Sequence, residues 1–258
     1  MIVMFRLIAA ASALLLLAPA RAQGERADIE AIVKNYLATH PEEVESIVRN
    51  YLVNDPDVLK DALAELIKRQ VTVTSADKSA AVKTNFQRLF NSPRQVNLGN
   101  SKGDVTMVEF FDYNCGFCKR ALADMMTLLN GNPNLRIVLK ELPILGPGSL
   151  EAAKVSIAVR LQDPTGQKYL AFHRKLLGGR GQADTSLAKA AARESGIDMA
   201  RLERDLASQE VQMTLDESAS LARALGITGT PSYVIGDAVI PGAIGAAGLQ
   251  EKIRAARK

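Results

Sequence analysis

The spacing of apolar residues changes along the chain, and each change predicts a different element. Between Val105 and Phe111 the run VTMVEFF is almost continuously apolar and partly β-branched, the pattern of a strand buried on both faces of a sheet. From Phe117 to Asn130 the period lengthens: Leu122, Met125, Met126 and Leu129 recur at helical spacing until Gly131-Asn132-Pro133 ends the element. Residues 134–140 read as the next strand, parallel to the first in a βαβ unit. Gln95 to Leu98 reads as an edge strand, with a turn at 100–104 leading into the central one. Residues 149–226 are helical by pattern, with no strand candidate among them. Beyond them, Tyr233 to Ile235 and Ala238 to Ile240 predict a hairpin around Gly236-Asp237, and 245–258 a closing helix with basic residues near its carboxyl end.

The amino-terminal part carries a repeat. IEAIVKNYLATHPEEV aligns with VESIVRNYLVNDPDVL, so that Ile32 matches Ile47, Val33 matches Val48, Tyr36 matches Tyr51, Leu37 matches Leu52 and Pro41 matches Pro56. Each unit reads as a short amphipathic helix, with Pro41 and Pro56 opening the next helix and acids in its first turn. His40, just before Pro41, reads as a turn residue. A third helix runs from Pro56 to about Gln70 and carries Val58, Leu59, Leu63, Leu66 and Ile67. Three short helices bury little apolar surface alone, which predicts packing against further copies of the chain; the alternative is packing on the carboxy-terminal part of their own chain. VTVTS at 71–75 breaks the helical pattern, and a polar helix resumes up to Asn91-Ser92-Pro93, so 71–94 reads as a semi-rigid connector.

At the amino terminus, Arg6 precedes an apolar stretch over 7–20, and Ala20-Arg21-Ala22 offers a small-x-small cleavage site. Residues 1–22 therefore read as a secretory signal peptide cleaved after Ala22, the stretch being short for a membrane anchor. No cysteine follows to accept a lipid. Cleavage removes two of 32 basic residues and leaves 28 acidic ones, for a mature net charge of +2. That near-neutrality, with no basic stripe, argues against a nucleic-acid partner.

Cys115 and Cys118 are the only cysteines in 258 residues. A strand feeding a helix through Cys-x-x-Cys places Cys115 at or just before the first helical turn, where unpaired N–H groups and the positive end of the helix dipole favour a thiolate. Cys115 is thus the candidate nucleophile and Cys118, one turn on, the resolving thiol. A structural disulfide between them would close too small a loop to restrict the unfolded chain much. Structural zinc would need four ligands, and His40 and His173 do not complete a recognisable set. His173, Met125 and Met126 read as packing residues.

The segment FFDYNCGFCKR, together with Gly229-Thr230-Pro231-Ser232-Tyr233, resembles the DsbA-like thioredoxin-fold proteins, exported bacterial thiol-disulfide oxidoreductases. The resemblance covers roughly 95–258 and implies an α/β thioredoxin fold with a helical insertion at about 149–226. It further implies a cis peptide bond at Thr230-Pro231 lying against the dithiol, a redox-active disulfide Cys115-Cys118 with no other cofactor, and a periplasmic location. Glu109 stands where the family carries a buried acid, which implies a proton relay for Cys118. Residues 23–70 resemble the amino-terminal oligomerisation region of the suppressor-of-copper-sensitivity C proteins, a branch of that family, which implies a small all-α region that makes a homo-oligomer.

Direction of the chemistry follows from the intervening residues. Strongly oxidising members carry Cys-Pro-His-Cys; here Gly116-Phe117 removes the histidine donor, and Thr230 resembles isomerase-like members. The expectation is a disulfide isomerase or reductase acting on proteins with disulfides or thiols and served by a membrane redox partner. One alternative is a monomeric disulfide oxidase. Another, of a different class, is copper(I) binding by Cys115 and Cys118, in keeping with the copper tolerance of the resembling branch.

Overall fold

The computed structural model describes residues 29–163 and 165–257, with side chains given outside 62–75. The signal peptide expected at 1–22 lies outside the described residues. The chain divides between Gln70 and Val71 into two compact units. Among the described residues no helix is long and apolar enough to cross a membrane.

Three helices open the described chain: α1 (29–39), α2 (Pro41–Asn54) and α3 (Pro56–Thr84). Pro41 sits in the first turn of α2, where its missing N–H costs nothing. His40 is the turn residue expected of it, its ring stacked on Tyr36 at 4.2 Å and its Nδ1 3.1 Å from the Tyr36 carbonyl oxygen. No residue of α2 is buried, and the repeat-matched Ile32 and Ile47 are each 68% exposed.

The structure corrects the reading of 71–94 in two ways. The break expected at 71–75 is absent, because α3 continues through it to Thr84; β-branched residues lower helix propensity only slightly. Nor is the later part a connector. Val82, together with Leu89 and Phe90 of α4 (Phe86–Phe90), is buried in a core cluster with sheet residues of the second unit.

That unit is built on a five-stranded sheet of β1 (Val96–Gly99), β2 (Val105–Phe111), β3 (Leu135–Glu141), β4 (Ser232–Ile235) and β5 (Ala238–Pro241), in the order β1-β3-β2-β4-β5. The central pair β2 and β3 is parallel and every other pairing antiparallel. The helix between β2 and β3, α5 (Gly116–Gly131), makes their crossover.

Alternation along β2 sorts its side chains between two cores. Met107 and Phe111 join α5 and the closing helix α11 (Gly245–Ala256) on one face, while Val108 and Phe110 join α4 and part of α10 (Gln209–Ala224) on the other. A strand covered on both sides shows no polar stripe, which is why VTMVEFF reads as a continuous apolar run. Between β3 and β4 stand α6 (Pro147–Arg160), α7 (Gln167–Gly178), α8 (Thr185–Glu194), α9 (Met199–Leu206) and α10, the helical insertion of a DsbA-like thioredoxin fold. Asp184 and Asp198 cap α8 and α9, accepting from the Leu187 and Arg201 N–H groups.

One buried charge ties the insertion to the sheet. Lys140 Nζ, with a fully buried side chain, donates to Glu217 on α10 at 3.1 Å and to the Arg88 carbonyl of α4 at 2.8 Å. Removing the Glu217 carboxylate would leave the Lys140 charge buried and without a countercharge, whereas Glu217 also has Arg94 at 3.8 Å.

Candidate active site

At the end of β2 the chain turns through Asp112-Tyr113-Asn114 onto α5, and Cys115 is the N-cap residue of that helix. Its Sγ accepts from the Cys118 N–H at 3.4 Å, which answers one of the donors that the first turn leaves unpaired. From the far end of the chain the Thr230 carbonyl oxygen reaches to 3.1 Å of the same sulfur and accepts from the thiol. The Thr230-Pro231 peptide is cis. Both cysteines are free thiols, Cys115 at 5% exposure and Cys118 at 0%. Between them Phe117 points outward, 58% exposed, with the Arg120 guanidinium 4.3 Å above its ring.

Glu109 lies on β2, on the face that Met107 and Phe111 share with the cysteines, and pairs across the sheet with Leu139 and Tyr233. It is buried. Loss of hydration pushes its carboxyl up to about 8, reinforced by the charge of Asp124. Burial likewise pushes the Cys118 thiol up, and charge on Glu109 or Cys115 would push it further. Tyr233, next but one after the cis-proline, is raised by burial first and by the same acidic groups second. Glu109, Cys118 and Tyr233 thus form one electrostatic cluster beside Asp124, in which added negative charge on any of the three is resisted.

Several residues that hold this site carry no sequence motif of their own. Asp112 is buried and accepts from three backbone N–H groups: Asn114 at 2.8 Å through Oδ1, and Ile144 at 2.9 Å and Leu145 at 3.1 Å through Oδ2. It fixes the turn before Cys115 to the strand exit after β3. Asn114 donates to Ser149 and to the Ala183 carbonyl, and accepts from the Ala183 N–H, so it ties the same turn to the insertion. The local signal was Asp-x-Asn after a strand, an Asx-turn pattern. Its long-range partners had no signal.

Behind the turn lies a buried polar chain. Tyr113 Oη is 2.9 Å from Ser156 Oγ and 3.1 Å from His173 Nδ1, and both Ser156 and Tyr169 donate to Glu141 Oε1. Burial pushes Glu141 up to about 8 and His173 down to about 3, so at neutral pH both are largely neutral. His173 is a packing residue, as its sequence pattern suggested, fully buried and hydrogen-bonded to Tyr113. Met125 is core and Met126 packs against it. Among the described residues no group of three or more His, Cys, Asp or Glu could hold a metal ion.

Comparison with known proteins adds five findings. The family profile described as DSBA-like thioredoxin domain matches residues 106–254, and that described as Copper resistance protein ScsC N-terminal domain matches 43–71. A thioredoxin-like oxidoreductase from Silicibacter pomeroyi DSS-3 is 45% identical with a TM-score of 0.63, over 66% of this chain and 96% of that one. Proteus mirabilis ScsC, solved in a transitional conformation, is 27% identical with a TM-score of 0.64, over 85% of this chain and 98% of that one. The Na(+)/H(+) antiporter NhaA 1 of Salinispora arenicola (strain CNS-205) is 25% identical over 139 residues, 53% of this chain, and the match spans only 21% of that curated relative.

Proposed function

Because this chain belongs to the DsbA-like thioredoxin family, we propose that it is an exported protein disulfide isomerase or reductase working through Cys115 and Cys118. The observation that carries the reading is the position of Cys115: it caps α5, and its sulfur faces the Thr230 carbonyl of the cis-proline loop. A helix N-terminus stabilises a thiolate, and an adjacent loop with a free edge can hold an extended substrate strand beside it.

In the forward step the Cys115 thiolate attacks one sulfur of a substrate disulfide. A mixed disulfide forms and one substrate thiolate leaves. In isomerisation a different substrate thiolate attacks the substrate sulfur of the mixed disulfide, a new substrate disulfide forms and the Cys115 thiolate leaves, with no net change in electrons. In reduction Cys118 loses its proton and its thiolate attacks the Cys115 sulfur, which releases the second substrate thiolate and leaves the Cys115-Cys118 disulfide; two electrons pass to the substrate. Burial holds the Cys118 proton tightly, so a base must take it, and Glu109 is the group assigned to that task. Thr230 and Pro231 position the substrate. Repeated reduction of the pair calls for a membrane redox partner.

Export to the periplasm has its support in residues 1–22 and in the family, and assembly through 23–70 in the ScsC N-terminal match and the exposed apolar side chains of α1 and α2. Several dithiols on one oligomer raise the local concentration of attacking thiolate around a misfolded substrate.

The deciding experiment pairs the equilibrium reduction potential in glutathione buffers with repair of a scrambled disulfide protein. A potential well below about −120 mV, the value for a strong oxidase, with repair of the scrambled substrate, supports isomerase or reductase. A potential near that mark, without repair, supports a monomeric oxidase instead.

Copper(I) binding by Cys115 and Cys118 draws support from the copper-resistance family matched at 43–71. The fit is poor for a closed site: two sulfurs stand without a third ligand among the described residues, and burial opposes the ionisation of Cys118 that a soft cation needs. An anaerobic copper(I) titration of the reduced protein decides it, binding that disappears in Cys118→Ser being the supporting result.

A further inference from the structure

Beside the dithiol a groove of about 380 Å³ opens to solvent, with Phe117, Ile227, the Thr230-Pro231 loop and Val239 among its walls. Among the described residues its one charged wall residue is Lys78, and no carboxylate lines it. Lys78 belongs to α3, outside both the 106–254 and the 43–71 family matches.

Its place beside the groove is built rather than incidental. Ser79 Oγ donates to Asp237 Oδ2 at 2.8 Å and Lys83 Nζ stands 3.8 Å from the same carboxylate, so this turn of α3 is fastened to the turn between β4 and β5. The Lys78 stem lies over Gly226, where a Cβ would stand 3.4 Å from Lys78 Cε. Gly226 itself has φ +62°, a conformation that favours glycine. Asp237, the acid on this side, is already engaged by Ser79 and Lys83. Phe117, on the groove wall, carries the Arg120 guanidinium 4.3 Å above its ring.

We infer that Lys78 selects substrates: the groove takes a polypeptide segment that sets an acidic side chain against Lys78 and an apolar one against Phe117, Ile227 and Val239. The inference rests on the thiol exchange proposed above and names the substrate class for it. An apolar trough with one cation and no acid among its described walls attracts negative and repels positive segments, and such a rim charge acts on capture and on choice between partners.

The test uses single-turnover exchange of the reduced full-length protein with short peptides whose one cysteine is linked to thionitrobenzoate. Cys115 attacks the peptide sulfur, coloured thionitrobenzoate leaves, and Cys118 then displaces the peptide thiolate to leave the Cys115-Cys118 disulfide. The peptides carry Glu, Gln or Lys on both sides of their cysteine. At low ionic strength the Glu peptide is expected to react about fivefold faster than the Lys peptide, the scale of one half-exposed ion pair. The ratio should shrink toward one in about 0.5 M salt, where screening is short-ranged. Lys78→Glu should invert the ratio and Lys78→Gln bring it near one; the Gln variant keeps most of the stem on Gly226 and serves should the Glu variant not fold. A wild-type ratio of one, or a ratio untouched by both substitutions, overturns the inference and leaves the exchange reading standing. Failure of the wild type to exchange with any peptide overturns the exchange reading and this inference together.

Discussion

Glu109 and Glu141 are two acids on the same sheet face, both buried and both raised to about 8, and they have different consequences. Glu109 stands in the dithiol's electrostatic cluster, so resolution of the mixed disulfide should quicken as pH rises through about 8 and Glu109 ionises. In Glu109→Gln that inflection should vanish and resolution should slow by about 10- to 100-fold, read by quenching the mixed disulfide at intervals over pH 6–9. Glu141 is bonded to Ser156 and Tyr169 in a buried chain and should show itself in stability. Its folded value lies above the ordinary 4.5, so the folded state binds the proton more tightly than the unfolded one. The resulting stabilisation is complete below about 4.5 and is lost as pH climbs to about 8, at no more than about 1.4 kcal/mol per pH unit. Urea titrations of Glu141→Gln, which keeps an acceptor for Ser156 and Tyr169, should show a flatter decline over that window; an unchanged slope would place the titration elsewhere. The sequence placed Glu109 in a buried strand. Glu141 escaped notice because its partners lie 15 and 28 positions away in the chain.

Among the elements, the turn between β2 and α5 decides how the cysteines are presented. Three backbone N–H groups converge on Asp112, two of them from beyond β3. Asp112→Ala leaves those donors without a partner and should cost roughly 2–4 kcal/mol of stability, with a fall in exchange rate as Cys115 loses its fixed approach to Thr230. Asp112→Asn retains one acceptor but sets its amide NH2 against the N–H donors on the other side, so it should recover only part of both; urea midpoints alongside single-turnover rates would separate the two effects. Helices α3 and α4 carry a contrasting lesson. VTVTS looks like an interruption only if β-branched residues are given more weight than they have in a helix, and Val82, Leu89 and Phe90 sit in otherwise polar surroundings that gave no hint of a core. Their burial depends on the second face of the sheet, which a local pattern does not encode.

For the whole molecule, the amino-terminal unit exposes Ile32, Val33, Tyr36, Ile47, Val48 and Tyr51, the same positions in each repeat unit. Such a face is stable in water when it meets another like it. Deleting residues 23–70 should therefore reduce the mass in solution to that of a single chain. It should also lower scrambled-substrate repair by at least about tenfold while reduction of a small peptide disulfide continues, since clustering alone supplies the gain in local concentration. Light scattering and the two assays on one preparation check this; a truncated protein that repairs as well as the full chain removes the role assigned to assembly.

Contiguous residues were enough to determine the strand buried on both faces, the helix that follows, the Cys115-x-x-Cys118 pair at their junction and the repeat, because each is a period or a spacing written along a single segment. Family resemblance pointed to the Thr230-Pro231 loop and Glu109, but no local pattern did, and the contacts around the pair were decided by tertiary structure. The Thr230 carbonyl meets Cys115 across 115 positions, Lys140 finds Glu217 across 77, and the α3 turn bearing Lys78 is fastened to Asp237 across 158 from Ser79. These contacts exist because packing both faces of one sheet brings distant segments together, and the shifted acids follow from the same cause: a carboxyl changes its proton affinity when neighbours remove its water.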